Sequence, residues 1–440
     1  MAEICPFRGV RYNAEKFPKL DVVVSQPYDR VHYGLQEKYY ELSPYNIVRL
    51  IKNKEEPGDN EYYNVYTRAR DYYHQWRNEG VLVREAQPAL YVYHQEFTIN
   101  GVQRVRKAFI AALRLVEFDE GTVLPHERTL AGPKIDRLNL LRATATNFEL
   151  VFMLYPDPEN RVNVLLDTAI ADRAPDVDTV ELYEKDVRQK MWVVTDQQTI
   201  QAVQAAMRPK RNLIIADGHH RYETSLNYRN EMRAAYPDAP SNAAFNYRAV
   251  ALVSMDDPGL TILPTHREIH DYGMVSADVL LERAAPYFEI IPVADQTACL
   301  ELMARRRNEH AIGFYAAGRY HVLVLKDESL LDQLITEERV AVWKRLDVTI
   351  LHKLLIEGVV GIDDRLLEQK IRYHRDLQAA IDNVDHGEGE YVFLLNPTRI
   401  GEVKACSTQG EKMPQKSTDF YPKMISGLVI CPVELTETLC

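Results

Sequence analysis

The chain has 440 residues, 46% of them apolar, and a formal charge of −11. That length exceeds what one hydrophobic core usually serves, so two or three modules are expected, with ample apolar content to fill them. The acidic balance argues against broad nucleic-acid binding, which needs clustered Lys and Arg to displace counterions, but it leaves room for a local basic site for one nucleotide.

Near the start, an apolar strand at Val22 to Val24 leads into Gln26-Pro27-Tyr28-Asp29-Arg30, and Ser43-Pro44-Tyr45-Asn46 leads into Ile47 to Ile51. Pro and Asn there fit turn and strand-entry chemistry, and both segments are also candidates for a pocket wall. A helix is predicted over 61–79, with Tyr62, Tyr66, Tyr73 and Trp76 on one flank at helical spacing, a packing stripe rather than a cofactor site. Apolar runs predict strands at 90–97, 108–116, 148–155, 212–215, 249–255, 288–293, 321–325 and 391–395, and helical periodicity marks 133–143, 196–207 and 222–235. The fold class is therefore mixed α/β.

A shift of 140 positions brings His126 onto His266, Leu140-Leu141 onto Leu280-Leu281 and Phe148-Glu149 onto Phe288-Glu289. Each copy would run strand, Leu-Pro loop, helix, strand, helix, hairpin, helix, with hairpins near 178–195 and 311–325; generic α/β alternation is the competing explanation. Candidate linkers at 53–60, 236–242 and 385–390 accompany an expected division into an N-terminal segment 1–84, a catalytic core 85–240 and a C-terminal α/β module 241–440.

The most informative stretch is 213–224, where the apolar strand Leu213 to Ile215 breaks on Asp217-Gly218 and is followed by His219-His220-Arg221. A tight turn with positive φ at Gly218 and a helix from Tyr222 would bring free N–H groups, the positive end of the helix dipole and the Arg221 guanidinium to one place, a site for phosphate or carboxylate. Asp217, His219 and His220 would supply proton or metal chemistry beside it, with Thr224 one turn on. The loop Leu124-Pro125-His126-Glu127-Arg128-Thr129 sits between a strand and a helix, and Glu127, tuned by His126 and Arg128, is the first candidate for a general base. Lys134 and Arg137, three apart on the next helix, can face phosphate together or be ordinary solvated charges. In the run 409–422, Lys416 is a candidate point-charge phosphate binder, and Ser417 and Thr418 are candidate hydrogen-bond donors or magnesium ligands, with a merely structural loop as the equal alternative.

No Gly-x-x-x-x-Gly-Lys, Gly-x-Ser-x-Gly, His-Glu-x-x-His or Gly-x-Gly-x-x-Gly after a strand is present, which sets aside P-loop, serine-hydrolase, zincin and dinucleotide-binding readings. Five cysteines, at 5, 299, 406, 431 and 440, lack Cys-x-x-Cys spacing, so mostly inert thiols without a disulfide framework are expected. The first residues lack the apolar core of a signal peptide, and no stretch approaches the roughly 20 apolar residues of a membrane span, so cytoplasmic residence is expected.

Asp217 to Arg221 resembles the Asp-Gly-His-His-Arg signature of the ParB/sulfiredoxin superfamily, whose members bind nucleotides and include CTP-dependent partition proteins, ATP-using sulfiredoxins and free-serine kinases. Over its whole length the chain resembles the bacterial and archaeal domain-of-unknown-function family 1015 (DUF1015), through Pro6-Phe7-Arg8-Gly9, Gln26 to Asp29, Ser43 to Asn46, Leu124 to Thr129, Asp217 to Arg221, Leu395-Asn396-Pro397-Thr398 and Met413-Pro414-Gln415-Lys416-Ser417-Thr418. The superfamily resemblance implies a ParB/sulfiredoxin-like nucleotide-binding core. Together with the residues, it leads to an expected phosphotransferase: a nucleotide (ATP, ADP or CTP) on the Gly218 turn, Mg²⁺ bridging its phosphates, and Glu127 deprotonating a small hydroxylated metabolite such as free serine. The alternative is a nucleotide-switched regulator of the partition-protein type; nucleic acid and membrane are not expected partners, and the oligomeric state is open.

Overall fold

The computed structural model describes every residue except Arg128, Leu130 and Asp364, together with all side chains of the rest but Ala131 and Glu368. The chain forms two compact units, one of residues 1–261 with 422–440 and one of residues 262–421. As the sequence requires, the fold is mixed α/β.

The first unit is organised around the hairpin Leu90–Ile99 and Val102–Arg114. Its turn, Asn100-Gly101, takes φ of 51° and 74°, the left-handed pair that matches the twist of two-residue hairpins. The sheet runs Val123–Pro125, Leu213–Asp217, Val151–Tyr155, Tyr247–Ser254, Val102–Arg114, Leu90–Ile99, Glu184–Val194, Val177–Glu181, with Ile4–Cys5 added beside Val102–Arg114. Leu213–Asp217 is parallel to Val123–Pro125 and antiparallel to Val151–Tyr155. Val151–Tyr155 and Tyr247–Ser254 are buried at every residue, which explains why they read as continuous apolar runs and not as alternations. Helices Arg161–Ile170 and Gln197–Met207 bury Val162, Leu166, Ile200 and Val203 in the same core, and Tyr222 and Leu226 join it from helix His219–Ala235.

One irregularity positions the site. Ile215 opposes Met153 and Asp217 opposes Phe152, so Ala216 is an extra residue in the ladder. Such a bulge bends a strand and re-aims its last side chain, here Asp217.

The N-terminal segment departs from expectation at Val22 to Val24. The Leu20 carbonyl accepts from the N–H groups of both Val23 and Val24, so the three valines close a turn rather than extend as a strand. Asn46 holds that turn, its side chain donating to the Val22 and Val24 carbonyls at 2.9 and 3.0 Å. Helix Val65–Asn78 starts on a capping box made by Asn64 and Thr67, which leaves Tyr62 outside it and 83% exposed, while Tyr73 and Trp76 are buried as the stripe predicts.

The second unit has an antiparallel sheet in the order Phe288–Val293, Arg319–Leu325, Ala311–Ala316, Tyr391–Leu394, His266–Ile269, Ile371–His374. Its core includes Cys299, Met303, Val322, Val324, Ile381 and Leu394. The order of elements after 247 does follow the order after 102, both hairpins included. The pairing does not: Val151–Tyr155 lies between Leu213–Asp217 and Tyr247–Ser254, whereas its counterpart Phe288–Val293 pairs with its own hairpin.

Cysteine spacing fails to reveal one feature. Cys5 and Cys440, 435 residues apart, form a disulfide with Cα atoms 5.5 Å apart, a correction to the expectation of none. A bridge between distant chain positions leaves no local spacing pattern to read. Cys299, Cys406 and Cys431 are buried, and burial pushes each thiol up to about 12. Among the described residues no helix is long and apolar enough to cross a membrane.

Candidate functional site

Gly218 takes φ 91° and ψ 31°, the positive φ expected of it, and serves as N-cap of the helix His219–Ala235 without a side-chain cap. The helix begins three residues before the predicted Tyr222, so His219, His220 and Arg221 form its first turn, where backbone N–H groups lack intrahelical partners. A Cβ on Gly218 would stand 2.9 Å from Arg221 Nε and 3.1 Å from its Cζ. Glycine is required both for the backbone angle and for the guanidinium lying against it.

Arg221 is 5% exposed. It donates to the Leu150 carbonyl at 2.5 Å and lies 3.6 Å from Asp217 Oδ2, while its Nε has no partner. Asp217 also faces Lys423 Nζ at 3.7 Å. Burial alone would raise the Asp217 carboxyl, but Lys423, Arg221, His219 and Arg30 outweigh it and hold the group well below the ordinary carboxylate range. Asp29, exposed, is within electrostatic reach of Asp217, Arg221, Glu149 and Lys423.

Behind the helix start, buried Glu149 accepts from the Tyr28 N–H at 3.0 Å and from Arg137 at 3.4 Å. Arg137 stacks over the Tyr28 ring at 4.1 Å and donates to the Ile51 carbonyl at 2.7 Å. Arg248 donates to Asn147 Oδ1 and to the Glu149 carbonyl. Thr224, Arg137, Arg221, Arg248 and Glu149 wall a cavity of about 30 Å³, room for about one water rather than a nucleotide.

On the other side, His126 is fully buried, its Nδ1 2.5 Å from the Ile215 carbonyl oxygen. The His126 backbone N–H donates to His219 Nε2 at 3.3 Å, which places the proton of a neutral His219 ring on Nδ1. The two rings meet edge to face at 4.7 Å, and His126 Nε2 stands 3.6 Å from Glu127 Oε1. Burial, and then His126, push His219 down to about 3, so it is neutral at pH 7. Enclosure works to raise Glu127, but the hydrogen bond to His126 and the neighbouring His126, His219 and Lys423 hold it at about 2, a permanent carboxylate at neutral pH. Lys423 and His219 act on both Glu127 and Asp217, and so tie the two sequence-predicted carboxylates into one cluster.

His220 is half-buried and lowered by burial, with Lys134 and Arg221 acting the same way against Glu223. Lys134 binds Glu223 at 2.9 Å, Thr129 Oγ1 donates to the same carboxylate, and Thr224 Oγ1 donates to the Lys134 carbonyl at 3.4 Å. Lys134 and Arg137 thus each have carboxylate partners. Lys416, Ser417 and Thr418 belong to the second unit; Ser417 Oγ donates to the Pro414 carbonyl, and the Lys416 carbonyl accepts from Arg267. Arg128 lies outside the described residues.

Glu149, Arg248 and Lys423 were not singled out from the sequence. A lone acid inside the apolar run Phe148 to Tyr155 was the available signal for Glu149. Lys423 directly follows the polar run that ends at Pro422 and offers no signal of its own.

The first unit is therefore a mixed α/β domain with a helix-start cluster of buried arginine, paired histidines and ionised carboxylates. The chain belongs to the family described as protein of unknown function (DUF1015), whose model matches residues 4–349, a stretch that ends before Leu395 to Thr398 and Met413 to Thr418. Comparison with curated proteins finds no match. Among solved structures, the chain is similar to a conserved hypothetical protein from Pyrococcus furiosus at 13% identity and TM-score 0.33, covering 71% of this chain and 94% of that one. It is similar to a free serine kinase in complex with AMP, at 13% identity and TM-score 0.33, over 71% of this chain and 90% of that one. It is also similar to a C-terminally truncated SbnI from Staphylococcus aureus, at 11% identity and TM-score 0.33, over 74% of this chain and 89% of that one.

Proposed function

We propose that the protein is a nucleotide-dependent phosphotransferase acting on a small hydroxylated metabolite, built on a ParB/sulfiredoxin-like core and working in the cytoplasm. The observation that carries this reading is the uncapped helix start at Gly218, with the buried Arg221 Nε unpartnered beneath it and ionised Asp217 and Glu127 joined through Lys423 and His219. Phosphates placed on the first turn would meet backbone N–H groups and the positive end of the helix dipole.

Among the described residues no group of three or more His, Cys, Asp or Glu side chains is arranged to hold a metal ion. A magnesium ion carried in on nucleotide phosphates needs only one or two protein carboxylates, and Asp217 and Asp29, within electrostatic reach of each other, would be the groups to supply them. When bound, it would neutralise charge on the transferred phosphoryl group. Glu127, ionised throughout the neutral range, would orient the acceptor hydroxyl and take its proton as the bond to phosphorus forms. Its low pKa makes it a weak base, which suffices because phosphoryl transfer is driven mainly by positioning and electrostatics. Lys423 would hold the cluster's negative charge in check.

The test is incubation of the full chain with magnesium, ATP, ADP or CTP, and serine or pooled small metabolites, followed by phosphorus NMR. New phosphomonoester signals, lost in Glu127→Gln while nucleotide still raises Tm, support the reading. Nucleotide hydrolysis without any phosphorylated acceptor would replace it with the switch reading. Equal nucleotide stabilisation of wild type and Arg221→Ala would remove the phosphate site.

A further inference from the structure

The motif Pro6-Phe7-Arg8-Gly9 takes no part in the Gly218 cluster. Its first three residues border a cleft of about 430 Å³ whose lining includes Cys440, one end of the disulfide to Cys5. Small-molecule sites enclose roughly 300–1,000 Å³, so the cleft has room for a ligand of several functional groups. All of its lining belongs to the unit of residues 1–261 with 422–440.

The two ends of the bridge are unequal. Cys5 lies in strand Ile4–Cys5 and is 0% exposed, whereas Cys440 is exposed and lines the cleft. A thiolate arriving from solvent therefore meets the bridge at the Cys440 sulfur. The Gln204 amide, fixed by a 2.8 Å hydrogen bond to the Ile4 carbonyl, also stands 3.5 Å from that sulfur, a donor for the negative charge that exchange develops there.

Residues 437–440 have holds besides the bridge. Glu437 accepts from Arg84 with both carboxylate oxygens at 2.7 Å, its carbonyl accepts from the Ala244 N–H at 2.8 Å, and the Leu439 N–H donates to the Asn242 carbonyl at 2.9 Å. These contacts keep the cleft wall in place when the bridge opens, with the two cysteines near enough to close again. The donors still open in the cleft define its ligand. Arg84 is saturated by Glu437, but Arg8 spends only its Nε, on the Glu85 carbonyl at 2.9 Å, and makes no ion pair among the described residues. The Gln201 amide makes no hydrogen bond among them either. A guanidinium and an amide so placed suit a ligand's carboxylate.

We infer that this cleft is a thiol-exchange site for a small anionic thiol of the glutathione type, with Cys440 as the residue modified. The incoming thiolate bonds to the Cys440 sulfur as the bond to Cys5 breaks; the electron pair leaves on the Cys5 sulfur, which takes a proton from water. A second thiolate then attacks the ligand sulfur of the mixed disulfide and frees Cys440. Two small thiols are thereby oxidised to their disulfide while the bridge is reduced to two thiols, and the reverse sequence recloses it. A bridge within reach of small thiols is exchanged rather than permanent wherever thiols are kept reduced, in keeping with the proposed cytoplasmic setting. The exchange stands apart from the proposed phosphotransfer chemistry.

The experiment is to incubate the folded, full-length protein with glutathione in the absence of denaturant, quench in acid at intervals, and locate adducts by peptide mass spectrometry. A mixed disulfide on Cys440, then loss of the bridge, is expected, and glutathione disulfide should restore it. Cys5→Ser, which cannot reclose, should accumulate the adduct on Cys440 when given glutathione disulfide. At equal thiolate concentration and ionic strength, glutathione should react faster than the cationic thiol cysteamine, and Arg8→Gln should cut that preference by up to about fivefold. The wild-type protein decides the matter even if a variant fails to fold. An adduct on Cys5, or a bridge that glutathione opens only at the rate of global unfolding, overturns the inference. So does a bridge inert to glutathione but opened by a thioredoxin-type dithiol protein, or a preference unchanged in Arg8→Gln.

Discussion

Replacing Gly218 by alanine tests the geometry of the helix start. The residue sits at φ 91°, where an L side chain costs about 1–2 kcal/mol. Its new Cβ would be 2.9 Å from Arg221 Nε, closer than real Cβ atoms come, and a tight 3.1 Å from Cζ, so the guanidinium must move. Movement breaks the hydrogen bond to the Leu150 carbonyl, and a buried charge-assisted bond of that kind contributes about 1.5–3 kcal/mol. The two effects sum to roughly 2.5–5 kcal/mol, read as loss of unfolding free energy in urea. In an Arg221→Ala background the clash has no partner, so Gly218→Ala should cost only the backbone part, about 1–2 kcal/mol. The double-mutant cycle therefore carries a coupling of about 1.5–3 kcal/mol. An equal cost in both backgrounds would refute the account of Gly218 as the seat of the guanidinium.

Three further outcomes follow from the same contacts. Glu149→Gln removes the farther of Arg137's two carboxylates, at 3.4 Å, while Asp136 stays at 2.6 Å, and should lower stability by about 1.5 kcal/mol in urea unfolding, against which an unchanged midpoint would count. His219 is lowered to about 3 from an ordinary 6.5, so the unfolded chain binds a proton below pH 6.5 that the folded one refuses; its contribution is intact above that pH and falls as pH drops towards 3. Glu127, lowered to about 2, contributes stability above about pH 4.5 and loses it as pH falls, so in the window 6.5 to 4.5 His219→Gln should flatten the pH slope of stability by up to about 1.4 kcal/mol per pH unit relative to wild type. Closing the loop from Cys5 to Cys440 stabilises by up to about 5 kcal/mol, so dithiothreitol should lower the wild-type Tm and leave that of Cys5→Ser, already lower, unchanged.

What the sequence made legible has a physical pattern. Strands Leu90–Ile99 and Phe288–Val293 were visible because apolar, strand-forming runs end on turn residues. The start of helix His219–Ala235 was placed too late because its first turn is polar and carries no hydrophobic period. Val22 to Val24 misled because three valines favour extension, whereas Asn46, twenty-two residues away from Val24, holds them in a turn. The predicted gathering of His126, Glu127, Asp217 and His219 rested on residue types at strand ends. The charges completing it, Glu149 and Lys423, are fixed by tertiary pairing that local pattern does not encode.

The chain leaves the first unit after Thr261 and returns to it at Pro422. During synthesis, Asp217 and Arg221 emerge long before Lys423, and Val10 waits as long for Ile430, whose N–H and carbonyl bond it on both sides. The inserted unit must be made in full before the outer one can close, so ribosomes supply the last cation of the helix-start cluster only at the end of translation. A message broken anywhere within the insert would yield an outer unit in which Asp217 keeps Arg221 but lacks Lys423 and a strand edge stays open, a ready substrate for quality control.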